Sequence, residues 1–217
     1  MLKDYLYYSY LAIVLISIMA NLLQFQRKEA TEKILVLFLV FTLVNETFSR
    51  VAMYFGFSKS IGYHFYNVIE LFLISTYFFN TIQPKRYKFF VVLTAFVYPL
   101  FAILNCFFLQ PLKTLNSNYI TFESFLVIGM SLYALYRILI NDTIKSIINF
   151  PHFWLWTCIL FCFSYTFFFW PCIRILYKQK SDYYDLVVCS QIIMHIVTYT
   201  GIGFVLFFYP KMVKNES

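Results

Sequence analysis

Glu46, Arg50, Glu70, Glu123 and His195 stand well inside runs that are predominantly apolar. Ionisable groups in such surroundings are costly and mark candidate sites by default. Their spacing orders them. Thr42, Asn45, Glu46, Ser49 and Arg50 recur at i, i+3, i+4, i+7 and i+8, which places them on one helical face. Gln191, Met194, His195, Thr198 and Tyr199 repeat the pattern, and His64, Asn67 and Glu70 form a shorter stripe at spacing three. A polar stripe turned to lipid loses its hydrogen-bond partners, so these faces are expected to turn inward. The chemistry within reach is then cation or proton binding by carboxylates, recognition of a small polar ligand, or acid–base work by the glutamates and His195. A purely structural polar core competes with all three. Glu46 and Arg50 have the spacing of an intrahelical ion pair, and Asn67 and Gln191 can tie helices together at about 0.6–2 kcal/mol each.

Other constellations carry less. The three histidines, His64, His152 and His195, fall at different depths, so no three-histidine metal site is expected and no metal or cofactor is assigned. Ser49 and His195 are conceivable nucleophile and base, but no elbow motif marks Ser49. Cys158 and Cys162 read as small packing residues. Cys106, Cys172 and Cys189 fall towards one side of the chain, where a disulfide is an open alternative.

The elements that must position these groups follow from composition. The chain has 217 residues, 61% hydrophobic and 12% charged, with a mean hydropathy of +0.71. A soluble domain carries about 25% charged residues. Soluble enzymes and nucleic-acid binders are thereby excluded, and the partner implied is the lipid bilayer. The apolar runs predict an all-α bundle of seven transmembrane helices forming a single domain over 1–217, with spans near 5–23, 34–55, 61–81, 89–109, 119–139, 150–174 and 183–208. The runs lack the strict alternation of barrel strands. The first is expected to be retained as a helix, since no small-residue cleavage site follows it.

The loops split the 17 Lys and Arg into ten on one side and seven on the other, which predicts the N-terminus outside and the C-terminus inside. In that topology Glu46 and Glu70 both lie ~13 Å below the outer surface, Glu123 ~6 Å, Gln191 ~12 Å and His195 ~18 Å. The expected pocket therefore opens outward, is built from helices two, three, five and seven, and holds Asn45, Glu46, Ser49, Arg50, Asn67, Glu70, Glu123, Gln191 and His195, with Arg174 at its rim.

Three short motifs, Asn149-Phe-Pro-His-Phe-Trp-Leu-Trp, Thr121-Phe-Glu-Ser and Asn67-Val-Ile-Glu, resemble a group of small bacterial multi-pass membrane proteins of unknown function. The resemblance implies a bacterial inner (plasma) membrane bundle and implies no reaction. Three functions stay open: a non-enzymatic sensory or accessory protein that binds a small ligand or cation, an intramembrane acid–base hydrolase acting on lipid, and a small-solute transporter or pore. The 5 glycines and the absence of an internal repeat weigh against the last. The basic inner loops could dock a protein partner.

Overall fold

A computed structural model describes residues 2–58, 60–82, 84–111, 114, 117–140, 146–179 and 182–216, with side chains through 212, and every regular element among them is helical. Seven helices follow in order: α1 (Leu2–Leu22), α2 (Ala30–Tyr54), α3 (Ser60–Thr81), α4 (Lys85–Leu104), α5 (Ser117–Leu139), α6 (Pro151–Gln179) and α7 (Tyr184–Glu216). Six of them, all but α3, are long and apolar enough to cross a bilayer, and they mark the chain as an integral membrane protein. Helix α3 is 22 residues long, but His64, Asn67 and Glu70 hold its hydropathy down. Several lysines used to infer orientation (Lys59, Lys113, Lys145 and Lys180) lie outside the described residues, as does the side chain of Lys214.

Helix ends follow local chemistry rather than hydropathy. Gly56, at φ +78°, closes α2: Phe57 N–H donates to Ala52 O at 2.8 Å and Gly56 N–H to Met53 O at 3.1 Å. This paired reverse turn satisfies orphan carbonyls and favours glycine at the left-handed position. At the other end of α2, Glu32 Oε1 accepts from the Glu29 N–H at 3.1 Å. Pro151 opens α6, where a missing N–H costs nothing. Helix α4 widens into a π turn over Asn105–Leu109 that closes through Gln110 N–H to Asn105 O at 2.7 Å. Gln110 then caps α5, accepting from the Asn118 N–H and donating to Ser117 Oγ. Helices α6 and α7 run on to Gln179 and Glu216, past the expected ends at 174 and 208. Backbone hydrogen bonding continues beyond the hydrocarbon boundary that the apolar run reports.

Consecutive helices pack as neighbours, and α7 closes the ring against α1. Tyr7–Glu46, Tyr63–Glu46, Thr42–Tyr66 and Tyr98–Glu123 show antiparallel pairing of α1 with α2, α2 with α3 and α4 with α5. Helices α1 and α7 are instead parallel: Lys3–Asp185, Ser17–Tyr199 and Asn21–Gly203 share one offset of 182 residues.

Aromatic residues sort by whether they carry a hydroxyl. Eight tyrosines but only four phenylalanines are buried, whereas fifteen phenylalanines are among the exposed large side chains. Lipid can meet every need of a Phe ring, but a Tyr hydroxyl there would lack a partner. The phenylalanines therefore clothe the bundle and the tyrosines bring hydrogen-bonding groups inside.

Candidate functional site

The polar residues of α2, α3 and α5 meet at one end of the bundle, the end that carries the N-termini of the odd-numbered helices. On α2, Glu46 splits its carboxylate between two helices. Oε2 accepts from the Tyr7 hydroxyl of α1 at 2.9 Å, and Oε1 from Tyr63 of α3 at 3.1 Å. One turn earlier, Thr42 Oγ1 and Tyr66 OH are 2.8 Å apart. Asn45 and Ser49 press against the bare backbone of Gly62, where a Cβ would lie 3.2 Å from Asn45 Oδ1 and 3.3 Å from Ser49 Oγ. Arg50 reaches the cluster through a ring: its guanidinium sits 4.0 Å above Tyr7. The arginine itself is exposed, so its charge is not buried as the sequence leads one to expect.

Glu70 is central: it lies within electrostatic range of Glu46 of α2, Glu123 and Tyr119 of α5, Cys162 of α6 and Tyr199 of α7. Glu123 is 1% exposed, and Tyr98 of α4 donates to its Oε2 at 2.6 Å. Its other oxygen has no hydrogen-bond partner. Tyr119 stacks on Tyr98 at 4.2 Å, and Asn67 has an unpartnered amide nitrogen. Unpartnered buried polar atoms occur elsewhere in the bundle too, on Asn105 and Trp156 for example, and what sets this place apart is that the open atom on Glu123 is a carboxylate oxygen.

Gln191 and His195 form a separate branch on α7. The Gln191 amide nitrogen lies 2.7 Å from His195 Nε2, and His195 Nδ1 lies 3.8 Å from Cys162 Sγ of α6. Donation by the amide makes Nε2 the acceptor, so the ring proton sits on Nδ1 and faces the sulfur. The His195 ring stacks on Tyr199, with a 5.6 Å separation, and Tyr10 completes a triangle, 5.9 Å from His195 and 5.8 Å from Tyr199. Both histidine nitrogens are thereby engaged on α6 and α7, while Ser49 faces Gly62. The two are not brought together as nucleophile and base.

The tyrosines are the part that sequence reasoning missed. Tyr63 and Tyr66 carry a readable signal, since 63, 66, 67 and 70 complete the α3 stripe. Tyr7 and Tyr98 belong to weaker stripes, Tyr7, Tyr10, Ser17 and Asn21 on α1 and Tyr87, Thr94 and Tyr98 on α4, which contain no carboxylate or histidine to draw the eye.

At the opposite end, His152 is held by two hydroxyls, with Tyr77 3.0 Å from Nδ1 and Tyr209 3.0 Å from Nε2. Nearby, Lys28 is buried and donates to Leu206 O at 2.6 Å and to Glu32 Oε2 at 3.4 Å. Burial pushes the Lys28 ammonium below the ordinary lysine range, and the Glu32 carboxylate opposes that shift. The five cysteines are free thiols. Among the described residues no three His, Cys, Asp or Glu side chains converge as metal ligands.

Arg174, expected at the rim of the pocket, donates from Nη1 to Asn118 Oδ1 at 3.0 Å. It lines a cavity of about 500 Å³ between α5 and α6 that none of the nine candidate residues borders. No protein-family model, curated protein or solved structure matches the chain.

Proposed function

We propose that this is a seven-crossing membrane protein with a sensory or accessory role that binds a small ligand or cation beside the carboxylates of Glu70 and Glu123. Glu46, Asn67, Asn45, Ser49 and Arg50 flank the pair, and Gln191 and His195 stand apart as a branch on α7. The observation that carries the reading is the unpartnered oxygen of buried Glu123, which lies within the field of Glu70. Two carboxylates with one open acceptor in a low-dielectric interior attract positive charge. The tyrosine hydroxyls and carboxylates are oxygen donors, which suit a hard cation.

Seven crossings are supported by the helix directions. Parallel α1 and α7 require an odd number of traverses in an alternating bundle, which makes α3 a crossing helix shielded by its neighbours. With the N-terminus outside, by the Lys and Arg bias, the cluster lies in the outer half. The resemblance to bacterial multi-pass proteins points to the plasma membrane of a bacterium.

The test is thermal unfolding of the purified protein against alkali-metal, alkaline-earth and alkylammonium chlorides at constant ionic strength. A bound cation raises the midpoint by mass action, and Glu123→Gln should abolish the rise while retaining the helical fold. A midpoint that responds to none of these cations would refute the cation reading.

A further inference from the structure

The groove between α5 and α6 lies at the same end of the bundle as the carboxylates but has the opposite charge. Arg174 and Lys178 of α6 face Asn118 and Thr121 of α5 across it, and Pro171 and Ile175 form its apolar floor. Its opening therefore offers cationic and hydrogen-bonding groups to an anion at the level where helices leave the hydrocarbon.

Below the opening, the surface changes character. Phe125 and Leu132 follow Asn118 on α5 at intervals of seven, and Phe168 and Phe161 precede Ile175 on α6 at the same interval, so they continue the two helix faces that line the groove. Phe125 is 61% exposed, Phe168 69%, Leu132 53% and Phe161 59%. Exposed apolar side chains on these two faces thus continue from the basic mouth towards the middle of the bundle. A free anion would use only the mouth, whereas an amphiphile uses both parts.

We propose that this groove binds an anionic phospholipid, with its phosphate between Arg174 and Lys178 and an acyl chain along the exposed side chains of Phe125, Leu132, Phe168 and Phe161. Arg174 is pre-positioned by Asn118, and the neutral amide leaves the guanidinium charge available to the phosphate. This site is independent of the cation cluster.

The experiment is native mass spectrometry of the full chain from mixed micelles containing phosphatidylglycerol and phosphatidylcholine. Phosphatidylglycerol should be retained preferentially. In Arg174→Ala/Lys178→Ala the preference should fall by tenfold or more, with roughly fivefold contributed by each basic group at a membrane surface. Lys178→Ala alone, at an exposed position, provides the same readout at roughly fivefold should the double variant not fold. Equal retention of the two lipids, or an unchanged preference in a folded variant, would overturn the proposal. Stabilisation by inorganic phosphate equal to that by phosphatidylglycerol would also overturn it, by assigning the mouth to a free anion.

Discussion

The Lys28 ammonium donates at 2.6 Å to the carbonyl of Leu206, four residues before Pro210. Proline has no N–H to offer that carbonyl, so the helix leaves an orphan acceptor inside the membrane protein. A lysine from the α1–α2 connection fills the vacancy. Its partner Glu32 also accepts the Glu29 N–H that begins α2. One buried pair therefore joins the start of α2 to the turn of α7 that precedes Pro210.

Lys28→Met should destabilise the bundle by ~3 kcal/mol, because it strands both the Glu32 carboxylate and the Leu206 carbonyl. Pro210→Ala restores an amide to Leu206, so the Lys28→Met penalty should shrink by about 1 kcal/mol in that background. Denaturation of the four proteins of this cycle measures the coupling, and strict additivity would show that the proline and the lysine are unrelated.

The same lysine gives a pH dependence of known sign. Its folded-state pKa lies below the unfolded value because burial opposes its charge. In the window between those two values the unfolded chain holds the proton more often, so the contribution of Lys28 to stability rises with pH. Comparing wild type with Lys28→Met as pH rises towards ~10.4, the unperturbed lysine pKa, should show the difference moving in favour of wild type. A difference that moves the other way would mean that Glu32 outweighs burial.

Gly203 allows α7 to meet α1. A Cβ placed there would lie 2.6 Å from Ser17 Cβ. Gly203→Ala should therefore cost roughly 1–3 kcal/mol through overpacking. Ser17→Gly removes the opposing atoms and should recover much of that loss, as read from the unfolding midpoint. Failure of this rescue would place the strain elsewhere.

Arg50 and Glu70 should separate stability from binding. Arg50 is exposed and stacks on Tyr7, so Arg50→Ala should cost only about 0.5–1 kcal/mol, the value of an exposed cation–π contact. The larger cost expected for a buried arginine does not follow from this geometry. Glu70→Gln should keep the fold and lose the cation-dependent rise in midpoint. Unfolding of Glu70→Gln would instead make that carboxylate a structural strut.

Composition and period were enough to determine an all-helical membrane protein, since apolar runs of this length have few other stable forms in lipid. They also marked the stripes of Thr42–Arg50, His64–Glu70 and Gln191–Tyr199, because helical faces are a property of spacing within one segment. What spacing cannot carry is the identity of the partner across a helix boundary. That Glu46 would be met by Tyr7 and Tyr63, that His195 would turn to Cys162, and that Arg50 would lie on a ring at the surface depended on the rotation of each helix about its axis. Lys28 shows the limit most clearly. As a loop lysine it counted only towards topology, yet the position of Pro210, 182 residues away, decided that it would be buried. An orphan carbonyl exists only once α7 has formed, and its donor can be chosen only once α1 and α7 lie side by side.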